Sequence, residues 1–245
     1  MKIRHLTLLL ALLAATAAQA QPQPQPASTL NKIADAKSIT LATRWVPVTA
    51  ANRIEQVTSG AVDLECGTTT VTLGRLEQVD FSGMIFVDGA SFVSVGATGP
   101  RRLADLAGKR IGVLAGSTTE PRLRAALKER KIEAQVVVVR DEREGVSALT
   151  EKRIDAFAND RLALVGRVLV AKAAGDFTLA DEDFSFEPYA LLMRRDAAFR
   201  LAVNRALARI YAGPELVDIY NRWLGDLGRP GPLLSAMFYL DVLGE

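Results

Sequence analysis

The sequence predicts an α/β protein built as two lobes, and three observations carry that prediction. Between residues 110 and 173, short β-branched runs alternate with amphipathic helical runs, with Gly/Ser/Thr or Asn/Asp at the joints. The region before it has its own strand signals at residues 62–65 and 90–95, and the region after it adds one strand and two long helices. Behind an export leader about 225 residues remain, enough for one large domain or two small ones.

Lys2, Arg4, the apolar residues 6–15 and Ala18-Gln19-Ala20 form the pattern of a secretory signal over residues 1–20, with cleavage expected after Ala20. The apolar run is short for a membrane span, and a retained anchor is the alternative. The Gln-Pro repeat that follows makes residues 21–29 an extended, disordered spacer. Residues 38–43 alternate as a strand, and Trp45-Val46-Pro47-Val48-Thr49 reads as a second strand directly after Arg44. Parallel neighbours need a longer crossover, so this junction is a hairpin, a bent strand or the scar of a missing segment.

A short helix is expected over residues 52–58, a strand over 62–65 and one or two helical turns over 72–78. Residues 90–95 form a strand, 103–109 a short helix stopped by Gly108, and 110–114 a strand. Then come a helix (120–131), a strand (136–139), a helix (145–151), a strand (154–158) and a helix (162–173). This alternation predicts a mostly parallel sheet. Residues 188–194 give a further strand, 197–211 and 215–224 amphipathic helices, and the tail from Arg229 an irregular wrap containing Phe238 and Tyr239. No internal repeat is present.

Composition removes several functions. The only histidine is His5, inside the leader, so the exported chain has no imidazole base, no histidine metal ligand and no Ser/His or Cys/His nucleophile. The 30 basic residues fall to 28 without Lys2 and Arg4, matching the 28 acidic ones. No basic patch interleaved with aromatics occurs, so no nucleic-acid partner is expected. The single Cys66 has no disulfide partner and is expected as a small buried apolar side chain. No metal or cofactor is expected.

Binding chemistry concentrates in Glu65-Cys66-Gly67-Thr68-Thr69-Thr70, with Arg75 and Asp80-Phe81-Ser82 behind it. Hydroxyls and backbone N–H groups at a strand end, with a two-pronged guanidinium, suit a small carboxylate. Ser117-Thr118-Thr119 opens a helix, where free N–H groups hold an anion or the side chain simply caps. Asn159-Asp160 ends a strand and offers a carboxylate to an ammonium group.

Asn52-Arg53-Ile54, Gly60, Asp63-Leu64-Glu65-Cys66-Gly67, Thr70, Arg75, Phe81-Ser82 and Ile85-Phe86 follow one another in a specific order and spacing. Asp105-Leu106-Ala107-Gly108-Lys109, Gly116-Ser117-Thr118-Thr119, Asp160, Tyr189 and Trp223 continue it. In these positions the chain resembles the periplasmic solute-binding proteins of polar amino acid ABC transporters, bacterial extracellular family 3, and within them the glutamate/aspartate-binding branch. The resemblance runs from Val46 to about Phe238, with residues 38–44 matching the first strand.

It implies a two-lobe periplasmic-binding-protein-like (type II) fold with two hinge strands, near residues 90–95 and 187–193. Lobe 1 would comprise residues 30–92 and 190–245, and lobe 2 residues 93–189. It further implies a periplasmic, non-enzymatic protein that closes on an amino acid and presents it to ABC permease subunits at the inner membrane. By the same resemblance Arg75 would hold the ligand α-carboxylate with Thr68 and Thr70, Thr118 would contribute from the second lobe, and Asp160 would take the α-ammonium. Arg44 and Arg53 match positions that hold a side-chain carboxylate.

The family's strand and helix between the positions of Arg44 and Trp45 are absent, which leaves the first lobe incomplete. Ala50 stands where the acidic-ligand branch carries a hydroxyl, Glu142 near a histidine position, and Gly74 where a Glu often precedes the arginine. A monomer is expected, with a domain-swapped dimer as the arrangement that would rebuild the wall. A degenerate paralogue or sensor of the same fold is the alternative function. An enzyme like prephenate or arogenate dehydratase rests on fold sharing alone.

Overall fold

Hydrophobic residues at successive positions of strands 110–114 and 156–160 bury a sheet from both sides, and this sheet organises the larger lobe. The computed structural model describes residues 43–96, 98–170 and 177–242, with 167–170 by backbone only. These belong to one compact unit, Ile39–Glu245. The expected signal, spacer and the strand residues 38–42 lie outside the described residues.

The larger sheet contains β3 (Ala90–Val95), β4 (Arg110–Leu114), β5 (Gln135–Val139), β6 (Ala156–Asp160) and β7 (Phe177–Leu179), in the order β5-β4-β6-β3-β7. β4 pairs in parallel with β5 and β6, as crossover helices require, while β3 runs antiparallel to β6 and β7. Consecutive residues feed opposite faces. Phe92, Ala156 and Ala158 pack with Leu103, Ile111 and Leu123 beneath α3 (Thr119–Glu129). Val93 and Phe157 join Leu149, Ile154 and Leu164 beneath α4 (Glu142–Thr150) and α5 (Arg161–Val170). Gly145 lets α4 lie on this layer, because a Cβ there would run into the Phe157 ring. Truncating such a phenylalanine to alanine costs about 3–5 kcal/mol.

The first lobe is smaller. Its sheet has three antiparallel strands, β1 (Leu64–Glu65), β8 (Glu187–Met193) and β2 (Asp80–Asp88), with β8 in the middle. Val57 of α1 (Arg53–Thr58) packs on Val79, Phe81, Ala190 and Leu192. A one-turn α2 (Leu73–Leu76) connects β1 to β2, capped by the Thr72 hydroxyl, which accepts from Arg75 N at 3.2 Å. α6 (Ala197–Ala212) and α8 (Pro232–Leu240) lie against β2, with α7 (Glu215–Leu224) between them in sequence. Tyr211 ties the C-terminal helices down by donating to the Met84 carbonyl at 2.7 Å and packing its ring 5.2 Å from Phe238. Neither α6 nor α7 has a buried residue. This lobe is incomplete: among the described residues the two-residue β1 has no strand on its outer side.

The chain leaves the first sheet after Asp88, enters the second at Ala90, and returns at Glu187. Glu187 pairs with Asp88 in register at the passage.

Several expectations are corrected. Residues 45–49 are irregular, with Trp45 81% exposed, because an extended run needs a strand beside it and none of the described strands is there. The sheets are mixed and antiparallel rather than mostly parallel, since β3 and β8 enter from the other lobe. β2 and β7 were not anticipated. The register of β2 against β8 shifts between Phe81 and Met84 and again between Met84 and Phe86, which destroys the period-2 signal. The tail forms α8, opened by Pro232 at its first turn.

Candidate functional site

The carboxyl ends of parallel strands are where open α/β sheets hold ligands. Leu114 ends β4, Arg140 and Asp141 follow β5, and Asn159-Asp160 close β6; all line one cavity of about 1050 Å³. The facing wall comes from the first lobe, through Arg44, Trp45, Arg53, residues 60–68 and Arg75. The walls meet at Gly116. Its φ of +72° turns β4 toward α3 so close to residues 50 and 51 that a Cβ would stand 2.9 Å from Ala51 Cα.

On the first-lobe side, Arg53 of α1 donates from Nη1 to the Thr68 carbonyl at 3.1 Å and to the Thr69 hydroxyl. The same nitrogen lies 3.6 Å from Glu65 Oε1, and Thr69 donates to Glu65 Oε2 at 2.6 Å. Glu65 is buried, and Gly67 leaves room for it, since a Cβ there would strike its Oε1. Arg53 is thus already partnered by a carboxylate. Arg75 differs. Its Nη1 donates to the Thr70 carbonyl at 2.7 Å, yet among the described residues no carboxylate lies within ion-pair distance. Burial and then Arg53 hold its pKa below the usual guanidinium value, while Glu187, Glu65 and Asp160 oppose that shift. A guanidinium stays charged under such conditions, so Arg75 brings to the cavity a cation that no carboxylate among the described residues contacts directly.

On the second-lobe side, Asp160 is buried at the end of β6. Tyr189 donates to its Oδ2 at 2.6 Å and Thr119 to its Oδ1 at 3.4 Å. Burial pushes the Asp160 carboxyl up to about 6, helped by the charges of Glu187 and Asp88 and resisted by the two hydroxyl bonds. Asp88 Oδ2 lies 3.2 Å from the same Tyr189 oxygen and is itself raised, first by burial, with backbone N–H bonds from Leu162 and Gly89 opposing. One phenolic proton serves one acceptor, and the shorter contact gives it to Asp160. Burial, followed by these two carboxylates, pushes the Tyr189 pKa upward, so it stays a donor.

Thr70 and Thr118 were expected at the ligand. The structure brings them together at 3.3 Å between hydroxyls, but both donate to Oε2 of Glu187, at 2.7 and 2.8 Å. Thr118 occupies the N-cap position of α3 without capping it, because its hydroxyl is turned to Glu187. Thr70 does not line the cavity; Thr118 does.

Arg44, Arg53, Thr68, Arg75, Thr118 and Asp160 all line it, Arg44 and Thr68 as exposed side chains. Cys66, expected as buried, is exposed among the lining residues, with its thiol pKa raised by partial desolvation and by Glu65. Asp88 and Glu187 are not among the residues the sequence singles out, and Glu65, though it heads the Glu65–Thr70 stretch, has no role assigned to it there. Among the described residues no cluster of His, Cys, Asp and Glu could hold a metal.

The family model for bacterial extracellular solute-binding proteins, family 3, matches residues 27–226. The L-glutamate/L-aspartate-binding protein of Pseudomonas aeruginosa is 35% identical over 184 residues, 75% of this chain and 61% of that protein. The glutamate/aspartate import solute-binding protein of Salmonella typhimurium is 28% identical over the same shares. This chain therefore spans about three-fifths of the length of these relatives. Among solved structures, an ancestral arginine-binding protein bound to arginine superposes with a TM-score of 0.67 at 29% identity, over 74% of this chain and 80% of that one.

Proposed function

Because this chain belongs to the bacterial extracellular solute-binding proteins of family 3, we propose that it is the amino-acid-binding component of an ABC importer. It works in the periplasm, closes two lobes on glutamate or aspartate, and presents the ligand to permease subunits. The lobes divide at Gly89 and just before Glu187, a few residues ahead of the expected bounds of 92/93 and 189/190, because β3 lies in the larger sheet and β8 in the smaller.

One observation carries the reading: a cationic guanidinium and a buried carboxylate, Arg75 and Asp160, line the same cavity from opposite lobes. An amino acid zwitterion offers the complementary charges, its α-carboxylate to Arg75 and its α-ammonium to Asp160. Thr68, whose carbonyl accepts from Arg53, adds an exposed hydroxyl on the same wall. Arg44 and the remaining donors of Arg53 receive the side-chain carboxylate, while Thr70 and Thr118 act through Glu187. The names of the relatives support an acidic ligand, and Glu65 beside Arg53 limits the positive charge available to it.

A thermal-shift panel of the twenty amino acids tests this, with glutamate and aspartate expected to give the largest shifts. A flat panel supports the second reading, a non-transporting relative whose cleft no longer binds. That reading draws on the incomplete first lobe and on Trp45 standing 81% exposed at the cavity wall.

A further inference from the structure

A carboxylate with no exposed surface sits where the two lobes join, named so far only as the acceptor through which Thr70 and Thr118 act. Glu187 is 0% exposed and begins β8, in register with Asp88. Its Oε2 accepts from Thr70, which follows β1 in the first lobe, and from Thr118, which precedes α3 in the second. Its Oε1 accepts from Ser185 at 2.5 Å, within the returning segment itself. All three hydrogen bonds are hydroxyl to carboxylate, the charge-assisted kind that holds geometry most firmly.

Two residues along the strand, on the same face of β8, Tyr189 reaches the second lobe through Asp160. The first-lobe strand therefore grips the second lobe at two points, Thr118 and Asp160, both of which line the cavity. The Thr70 end of the fork continues to the ligand side as well, because the Thr70 carbonyl accepts from Arg75.

We propose that Glu187 is a positioning residue: its carboxylate joins the Thr70 and Thr118 hydroxyls across the lobes and fixes the closed arrangement in which Arg75 and Asp160 face one ligand. The proposal rests on the reading of the cavity as an amino acid site that closes. The hydroxyl fork belongs to the closed state, since opening the lobes draws Thr118 away from Thr70 and leaves Glu187 one interlobe partner short. A buried carboxylate that loses a donor is destabilised, so the fork disfavours opening.

The test measures the lobe-to-lobe distance by pulsed electron resonance. Spin labels go on Gln78→Cys and Lys128→Cys, both exposed and in different lobes, in a Cys66→Ser background. Distances are taken with and without glutamate, and ligand dissociation is followed by stopped flow. Thr118→Val and Glu187→Leu should each lengthen or broaden the distance distribution and speed dissociation three- to tenfold. Their double variant should do little more than either alone. Glu187→Gln, whose carbonyl can accept from both hydroxyls, should restore the short distance. Ser185→Ala removes the Glu187 bond that involves neither Thr70 nor Thr118, together with the bond that Ser185 Oγ accepts from Ala90 N at 3.1 Å, and should change the distance far less than Thr118→Val or Glu187→Leu does.

Unaltered distances in Thr118→Val and Glu187→Leu, in both ligand states, overturn the proposal, and so does a Ser185→Ala effect as large as theirs. Loss of melting temperature without a distance change also overturns it. If wild-type protein binds no amino acid, the functional reading fails while the ligand-free distances still decide the role of Glu187.

Discussion

In an Asp160→Asn variant the amide oxygen keeps the Tyr189 hydrogen bond, while the buried negative charge is gone. The carboxyl titrates near 6 in the folded protein against a reference of 3.8, and that gap corresponds to about 3 kcal/mol of folding free energy. The sign follows from linkage. The folded state binds this proton more tightly than the unfolded state, so the penalty is absent below 3.8, grows between 3.8 and about 6, and is complete above 6.

The asparagine removes the penalty but brings an N–H group that costs about 1–3 kcal/mol if it finds no acceptor. With Thr119 Oγ1 3.4 Å from Asp160 Oδ1 to take it, a net gain of about 1–2 kcal/mol is expected at pH 7.5. In a chain of this size that raises Tm by roughly 2–8 °C. Urea and thermal unfolding of both proteins at pH 7.5 and pH 4 check it. The advantage should vanish or turn into a loss of about 1 kcal/mol at pH 4, where little of the charge penalty remains to offset the amide's cost, and the variant should lose amino acid binding at both. An advantage equal at both pH values, or a variant less stable at pH 7.5, refutes the account of Asp160 as a buried charge held for its ligand.

Ligand affinity should be level above pH 7 and fall toward tenfold per pH unit below about 6, as Asp160 takes up its proton; calorimetry across pH 5–8 reads this. Arg75→Gln removes a charge-assisted contact worth about 1.5–3 kcal/mol and should weaken glutamate binding about 10- to 150-fold, with little change in Tm. Gly116→Ala forces a side chain onto a backbone at φ +72° and against Ala51, and should cost about 1–3 kcal/mol in unfolding while weakening binding. Exposed Cys66 in the cavity lining should react with a thiol reagent, and more slowly when ligand is present.

The larger lobe was legible in the sequence because β4, α3, β5, α4 and β6 are local units whose periodicity reflects burial on both faces of one sheet. β2 was not, since Ser82, Gly83 and two register shifts break its alternation, and what holds it is distant: Asn204 Oδ1 accepts from Gly83 N at 2.9 Å. Residues 45–49 have strand composition but no described strand to pair with, so their propensity went unused. Thr68, Thr118 and Asp160 stand out in the sequence by type and by position at strand ends, whereas Arg44 and Arg53 are picked out only by the resemblance; all of these line the cavity. What the sequence could not disclose was the partner of each hydroxyl. Thr70 and Thr118 are 48 residues apart and converge on Glu187, which is 117 and 69 residues from them. A lone glutamate at the start of a strand has no local pattern that marks it as buried.

Calorimetric titration with glutamate, N-acetylglutamate and glutamate α-amide, side by side, tests the paired grip of Arg75 and Asp160 most directly. Glutamate should bind saturably at pH 7.5, and masking either the ammonium or the α-carboxylate should abolish measurable heat. N-acetylglutamate binding as tightly as glutamate, or the α-amide doing so, would contradict the account.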